Sequence, residues 1–235
     1  MIKNLNYSPN FSKKNRKVRE IKFVIIHYTG MQSEIESIKR LKNPKYKVSC
    51  HYLINRKGDV TQMVDDRNTA WHAGKSRWKK FTNLNESSIG IELVNKGHRL
   101  GYQNFTNNQI KNLILLCKKL KKKYRIKKEN FLGHSDVAPL RKTDPGEKFP
   151  WKKLSSYNLG KWYQIKVKNI NLPLKNVERV FFKNLHKIGY RYFNVNTRNY
   201  NDKKVIKSFQ QHYLPKNVTG KLDQKTFKIS YFLAN

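Results

Sequence analysis

Apolar and polar positions along the chain follow strand periods in some segments and helix periods in others. Short runs rich in β-branched residues at 21–27, 48–55, 59–64 and 88–94 predict strands. Apolar residues at helical spacing predict helices over 34–41 and 106–124, and Thr106 with Gln109 predicts a capping box on the second. Residues 69–74 show no period and predict a loop. Strands that alternate with helices predict an α/β fold, with a mixed central β-sheet flanked by helices.

The pattern changes after Trp151. Residues 155–175 carry no clean period, whereas apolar faces at helical spacing over 177–188, over 202–213 and after Asp223 predict three short helices. His186 and His212 are isolated histidines on these helices, and packing or surface roles are the expected ones. We therefore predict a first domain over residues 1–154 with a polar, extended arm at 1–19, a linker at 155–171, and a small three-helix domain at 172–235.

Charge is the most unusual feature of the composition. Lys and Arg number 51 against 15 Asp and Glu, which gives a formal net charge of +36. Such a charge favours an anionic partner, such as nucleic acid, an acidic membrane surface or a carboxylate-rich polymer. The lysines are spread along the whole chain, and no basic run is interleaved with regularly spaced aromatic residues. General compositional bias is the preferred interpretation, and no nucleic-acid partner is expected.

Cysteine usage and targeting signals narrow the class further. Cys50 and Cys117 form no close-spaced motif, and a Cys50–His51 nucleophilic pair is disfavoured because adjacent strand residues point to opposite faces. Both are expected to be buried thiols. The first twenty residues lack the apolar core of a signal peptide, and no segment approaches the roughly 18 apolar residues of a membrane span. These features predict a cytoplasmic protein without a transmembrane segment, and they leave the oligomeric state unknown.

Polar residues with catalytic potential are concentrated in the stretch from Leu132 to Gly146. This stretch contains His134, Lys142 and Asp144 in a loop that follows a short apolar run. His27 ends another predicted strand, and neighbouring strand ends bring their side chains to one rim of a sheet. His27, His134 and Asp144 would make a set of two histidines and one carboxylate, which is typical of a Zn²⁺ site with one position open to water.

Two further residues are candidates for acid–base and electrostatic roles. Glu92 interrupts an otherwise apolar strand, and a carboxylate there is costly unless it faces a partner or a cavity. We interpret Glu92 as a general base whose pKa burial would raise, and Lys142 as an oxyanion stabiliser. Each candidate also has an ordinary interpretation, as a hydrogen-bonded histidine, a surface lysine or a salt-bridged glutamate. Spacing alone leaves the metal site and these interpretations open.

Five ordered motifs carry a family resemblance. They are VIIHYT at 24–29, SCHYLI at 49–54, AWHAG at 70–74, SIGIE at 88–92, and GHSD at 133–136 continuing to KTDPG at 142–146. Residues 20–152 thereby resemble the type 2 N-acetylmuramoyl-L-alanine amidases of the AmpD/AmiD group, whose fold is shared with peptidoglycan recognition proteins. The segments KSFQQH at 207–212 and GKLD at 220–223 resemble the helix and turn of a small three-helix peptidoglycan-binding domain.

The resemblance implies a zinc-dependent enzyme that hydrolyses the amide bond between N-acetylmuramic acid and L-alanine in peptidoglycan or muropeptides. It implies Zn²⁺ ligation by His27, His134 and Asp144. It also implies that Glu92 is the catalytic glutamate and Lys142 the catalytic lysine.

Three further expectations accompany the resemblance. It suggests that the substrate pocket includes His51, Trp71 and His72. A non-catalytic peptidoglycan-binding protein is the alternative function, because some relatives with this fold have lost the metal. A wall-binding domain points to the periplasm or cell envelope as the alternative to a cytoplasmic location.

Overall fold

A mixed six-stranded sheet lies at the centre of the part of the chain that the computed structural model describes, which is residues 2–5, 7–164 and 176–235. Its strands are β1 (Ile2–Leu5), β3 (Phe23–Tyr28), β4 (Tyr52–Ile54), β5 (Val60–Gln62), β9 (Ser88–Leu93) and β10 (Phe131–Gly133). Their spatial order is β1-β5-β4-β9-β3-β10. β4 and β5 are antiparallel, and the other neighbours are parallel. The predicted α/β class with a mixed central sheet is confirmed.

Short strands and helices complete this architecture. Two small antiparallel pairs join β2 (Phe11–Ser12) to β6 (Thr69–Ala70) and β7 (Arg77–Trp78) to β8 (Phe81–Thr82). The helices are α1 (Glu34–Lys42), α2 (Gly97–Leu100), α3 (Asn107–Tyr124), α4 (His134–Val137), α5 (Trp151–Ser155), α6 (Val177–Ile188), α7 (Asp202–Tyr213) and α8 (Gln224–Ala234). Across the described ranges, the helices lack the combined length and apolarity that a bilayer crossing requires.

Two local predictions are wrong. The segment 69–74, predicted as a loop, begins with strand β6, which pairs with the N-terminal segment at Phe11. The strand predicted over 48–55 shrinks to Tyr52–Ile54. The reason is that Ser49 bonds outside the sheet, where its backbone N–H donates to Trp71 O and its hydroxyl donates to Asn10 O. Both errors come from partners distant in sequence, which local periodicity does not reveal.

The register of β3 against its two parallel neighbours determines which side chains lie together at its carboxyl end. His27 pairs with Glu92 of β9, and Ile26 pairs with Gly133 of β10. Residues paired across parallel strands share a face, so the His27 and Glu92 side chains project side by side. His134 follows Gly133 directly and therefore lies at the same rim.

Helix α3 covers one face of the sheet. Its stripe of Ile110, Leu113, Cys117 and Leu120 packs in one cluster with the strand residues Ile26 and Ile91. The capping box is confirmed, since Thr106 Oγ1 accepts from the Gln109 N–H and Gln109 Oε1 accepts from the Thr106 N–H. Cys50 and Cys117 are free and buried, as expected.

The opposite face is covered by the C-terminal helices. The described residues 176–235 contain α6, α7 and α8 where the apolar pattern predicted helices. Phe181, Phe209 and Phe227 pack in one cluster with Phe23 and Ile25 of β3. The three helices therefore share a core with the sheet. Residues 165–175, which hold the second part of the predicted linker and the start of the predicted C-terminal domain, lie outside the described residues.

The N-terminal segment is integrated into the fold. Its Arg16 is 3% exposed, and the guanidinium donates to the backbone carbonyls of Ser88, Asp66 and Asn85 at 2.7, 2.6 and 3.1 Å. A guanidinium has five donors, which suits it to several carbonyl oxygens at once. The predicted polar arm thus contributes a buried anchor over its described part.

A buried carboxylate, that of Asp136 in α4, joins the sheet to the C-terminal helices. It accepts hydrogen bonds from the Gly133 N–H at 2.8 Å, from the Tyr190 hydroxyl at 2.5 Å and from His212 Nδ1 at 2.7 Å. The His212 ring also stacks on Trp151, with centroids 4.0 Å apart. Hydrogen bonds to a charged group contribute more than neutral ones, so this junction stabilises the interface between the two parts of the chain.

We expect Tyr190→Phe to lower the free energy of unfolding by about 1.5–3 kcal/mol, because it removes a buried hydrogen bond to a charged group. Urea denaturation followed by circular dichroism measures the change. Tyr231→Phe, at a half-exposed tyrosine of α8, is the matched control and should shift stability by less than about 0.5 kcal/mol. Equal effects of the two variants would contradict a stabilising role for the Asp136 junction.

Candidate metal centre and active site

Three buried side chains converge at the carboxyl ends of β3 and β10. His27 Nδ1 lies 2.9 Å from His134 Nδ1 and 3.0 Å from Asp144 Oδ2, and His134 Nδ1 lies 3.1 Å from Asp144 Oδ2. Each side chain offers one ligand atom to this triangle. Strand β3 supplies His27, the start of α4 supplies His134, and the following loop supplies Asp144. The backbone hydrogen bond from Ser135 N–H to Asp144 O, at 2.8 Å, holds that loop against α4.

Hydrogen bonds behind the triangle fix which nitrogen atoms carry protons. His134 Nε2 lies 3.1 Å from the carbonyl oxygen of Ala73, which can only accept, and 3.3 Å from Arg141 Nη2, which donates to the same carbonyl. A proton on Nε2 and a lone pair on Nδ1 satisfy the Ala73 acceptor. Ser88 Oγ donates to Leu84 O and therefore accepts from His72 Nε2 at 3.2 Å.

His72 Nδ1 is consequently an acceptor. It lies 3.0 Å from His27 Nε2, which must donate to it. His27 Nδ1 is then also left with a lone pair. These tautomers are inferred from the hydrogen-bond network. In metal-binding histidines, too, a hydrogen bond from the second ring nitrogen orients the imidazole.

The donor set fits a divalent zinc ion. Two lone-pair nitrogens and one carboxylate oxygen face one another at about 3 Å, a buried arrangement that a cation would stabilise. Tetrahedral Zn²⁺ with bonds of about 2.0–2.1 Å separates its donors by roughly 3.3 Å, close to these distances. Burial is the main reason that the pKa of His27 falls to about 4, so its ring is neutral at pH 7 as ligation requires. Burial opposes ionisation of Asp144, but the neighbouring His134 and His27 rings outweigh it and hold the pKa well below its ordinary value.

Glu92 lies beside this triangle and is buried. Its register partner is His27, its side chain is 9% exposed, and Oε2 has no hydrogen-bond partner among the described residues. Burial, with the nearby Asp144 adding to it, raises the pKa of Glu92 to about 8. A carboxyl group with a free oxygen and a pKa near neutrality can both accept and donate a proton.

Lys142 lies on the loop between His134 and Asp144 and is partly buried. Its charge opposes the burial-driven rise in the pKa of Glu92, and it adds to the burial-driven fall in the pKa of His27. The lysine charge therefore acts on the centre between these residues, where a developing oxyanion would be stabilised.

The three residues expected to line the substrate pocket occupy different places. His51 is fully buried, and its Nδ1 accepts from the Gly90 N–H at 2.9 Å. His72 is 6% exposed and holds His27 from behind. The ring nitrogens of both residues face main-chain and side-chain partners, and a role for either residue in the pocket is still a prediction. Trp71 is half-buried, its Nε1 donating to Ser12 Oγ at 3.0 Å, and its pocket role stays a prediction.

Comparison with known proteins identifies the family. The Amidase_2 family, described as N-acetylmuramoyl-L-alanine amidase, matches residues 17–147. The N-acetylmuramoyl-L-alanine amidase AmiD of Escherichia coli K12 is 35% identical over 227 residues, which cover 89% of this chain and 81% of that protein. The chain belongs to the N-acetylmuramoyl-L-alanine amidase family. The prediction of an enzyme of this class is confirmed.

Solved structures resemble this amidase over most of its length. A complex of E. coli AmiD with the substrate anhydro-N-acetylmuramic acid-L-Ala-D-γ-Glu-L-Lys has a TM-score of 0.80 at 33% identity, covering 91% of this chain and 88% of that one. AmpDh3 from Pseudomonas aeruginosa, in complex with anhydromuramic pentapeptide, has a TM-score of 0.81 at 30% identity, covering 91% of each chain.

Gly90 is a site residue of the amidase that sequence reasoning missed. A Cβ atom at this position would lie 2.4 Å from His72 Cγ, so only glycine lets the imidazole lie against β9. A glycine inside a strand often marks such a close approach, and this signal was present in the sequence. Arg141, the other omission, donates to Lys75 O at 3.1 Å and also to Ala73 O, the carbonyl that orients His134. Nothing in its local sequence indicates this contact.

The pKa of Glu92 predicts how stability of the metal-free amidase depends on pH. The value rises from 4.5 to about 8 on folding, chiefly through burial. The folded state binds this proton more tightly, so the contribution of Glu92 to the free energy of unfolding should be lost as pH rises from about 4.5 to about 8. Glu92→Gln cannot ionise and lacks this contribution, so the stability of wild type should fall relative to that of the variant over this window. Urea unfolding of both proteins, with a chelator and at a series of pH values, measures the difference. If the free energies of unfolding of the two proteins change in parallel with pH, the raised pKa of Glu92 is contradicted.

Proposed function

We propose that the chain hydrolyses the amide bond between N-acetylmuramic acid and L-alanine, with Zn²⁺ bound by His27, His134 and Asp144. The observation that carries this proposal is the buried triangle of two imidazole nitrogens and a carboxylate oxygen beside Glu92, whose Oε2 has no hydrogen-bond partner among the described residues. The relatives AmiD and AmpDh3 bind anhydro-muropeptides. Peptidoglycan or muropeptide fragments are accordingly the proposed substrates.

The chain's own residues have distinct roles in the proposed reaction. Zinc at this site would supply Lewis-acid activation of water near neutral pH. Glu92 accepts the proton of the attacking water and returns it to the leaving amine nitrogen of L-alanine. The Lys142 ammonium stabilises the negative charge that develops on the amide oxygen. His72 and the Ala73 carbonyl keep His27 and His134 in the tautomers that ligation needs.

The domain division is part of the proposal. Residues 1–154 would be the amidase domain, 155–171 a linker, and 172–235 a three-helix peptidoglycan-binding domain. The shared apolar core with β3 supports one rigid arrangement of the described parts. A preference for small anhydro-muropeptides over intact sacculi would support the cytoplasmic recycling role expected from the sequence. The reverse preference would support a role in the periplasm or cell envelope.

We expect His134→Ala to lose bound zinc, because removing one of three protein ligands leaves an incomplete set. Inductively coupled plasma mass spectrometry of the purified protein measures its zinc content. His186→Ala, at an exposed histidine of α6, is the matched control and should keep its zinc. A fully metallated His134→Ala protein would contradict the ligand assignment.

Glu92→Gln should retain zinc and lose turnover by about 10²-fold or more, because the amide cannot carry the proton. Mass spectrometry of a muropeptide digest, run with zinc and after chelation, measures release of free stem peptide. Glu178→Gln, at an exposed glutamate of α6, controls for the loss of one negative charge and should remain active. A wild-type protein that is folded and zinc-loaded yet inactive would favour the alternative, a non-catalytic peptidoglycan-binding protein.

A further inference from the structure

A groove of about 550 Å³ opens beside the loop that carries Lys142, and helix α7 forms its far wall. On the loop side it is lined by Arg141, Lys142 and Thr143, and on the helix side by Lys204, Lys207 and Gln211. We call it the α7 groove. Thr143 directly precedes the proposed ligand Asp144. The α7 groove therefore runs from the loop next to the proposed catalytic centre to helix α7.

Helix α7 contacts the loop that carries Lys142 at two points. Lys204 Nζ donates to the carbonyl oxygen of Leu140 at 3.2 Å, and Gln211 Nε2 lies 3.4 Å from Glu147 Oε2. The next residue on α7, His212, bonds the buried Asp136 carboxylate. These contacts fix the helix relative to the loop, so the groove is formed before a ligand arrives. A preformed site avoids the entropic cost of ordering its walls.

The charges that line the α7 groove favour an anion. Four of its described lining residues are cationic, namely Arg141, Lys142, Lys204 and Lys207. Among those described lining residues Glu147 is the single carboxylate, and it is already paired with His98 at 3.0 Å. Lys204 and Lys207 are three residues apart on a helix and so project on the same side. The surplus of positive charge therefore remains available to a bound ligand.

The chemistry of the stem peptide supplies a matching anion. In the substrate bound to AmiD, glutamate is joined through its γ-carboxyl group, so its α-carboxylate is free. Two residues of extended chain place that carboxylate on the order of 7 Å from the scissile nitrogen. A cationic groove adjoining the catalytic centre is suited to receive it.

We propose that the α7 groove is the subsite for the free α-carboxylate of the stem peptide, and that Lys204 and Lys207 select acidic over amidated peptides. This inference rests on the proposed function and extends the substrate-binding surface to the C-terminal helices. The helices would then contribute to substrate choice at the catalytic centre itself, in addition to any wall-binding role.

The test compares two substrates that differ at one group. The first is anhydro-N-acetylmuramic acid-L-Ala-D-γ-Glu-L-Lys, and the second carries an α-amide in place of the glutamate α-carboxylate. The double variant Lys204→Gln/Lys207→Gln should raise KM for the acidic substrate by about tenfold, with little change in kcat. KM for the amidated substrate should stay within about twofold of the wild-type value. Added salt should narrow the difference between wild type and variant.

The charge-matched control is Lys183→Gln/Lys187→Gln, which removes two exposed lysines from α6 outside the groove. This control should behave as wild type on both substrates. Equal losses on the acidic and amidated substrates, or the same loss in the control, would overturn the proposal, since general charge would then explain the effect. An unchanged KM in the groove variant would overturn it as well.

A binding measurement separates this inference from the proposed function. Calorimetry of the metal-free full chain with free L-Ala-D-γ-Glu-L-Lys requires no turnover. We expect wild type to bind this peptide about tenfold more tightly than the Lys204→Gln/Lys207→Gln variant does. If wild type does not cleave muropeptides but binds this peptide through the two lysines, the proposed hydrolysis is contradicted and the proposed subsite is supported. Binding that ignores both lysines would remove the subsite.

Discussion

The parallel register of β3 between β9 and β10 is the constraint on which the rest of the structure depends. It places His27 beside Glu92 and brings the end of β10, and with it His134, to the same rim. Side chains alternate between faces along a strand, so a shift of one residue would turn His27 toward the α3 side and dismantle the site. The long apolar cluster under α3 opposes such a shift, because every second strand residue must stay within it. Packing on one face thus determines the chemistry on the other.

Much of this arrangement could be predicted from sequence, because the informative residues lie at the ends of apolar runs. His27 closes one predicted strand, His134 follows another, and Glu92 is the anomalous charge within a third. The tautomer-determining contacts could not be predicted. They involve the Ala73 carbonyl, 61 positions from His134, and main-chain atoms carry no residue-specific signal in the sequence. The same reason hides the contact of His51 Nδ1 with the Gly90 N–H.

The C-terminal helices show a second limit of sequence reasoning. Their amphipathic patterns predicted three helices but gave no information on what their apolar faces cover. In the structure they pack against Phe23 and Ile25, and His212 reaches Asp136 across 76 positions. An isolated histidine on a helix is therefore a buried partner of Asp136 in α4. The sheet needs both faces covered, and these helices are the cover for its second face.

The packing of the C-terminal helices places part of the strong positive charge in a defined groove. A second basic groove, of about 770 Å³, lies at the amino ends of β3 and β10, beside Lys22 and Asn130 and away from the His27, His134 and Asp144 triangle. Lysines there raise the general attraction to anions, as lysines elsewhere on the surface do. What distinguishes the α7 groove is continuity with Lys142 and the fixed position of α7. Charge alone does not define a substrate site, whereas charge held rigidly beside the scissile bond can discriminate one carboxylate from its amide.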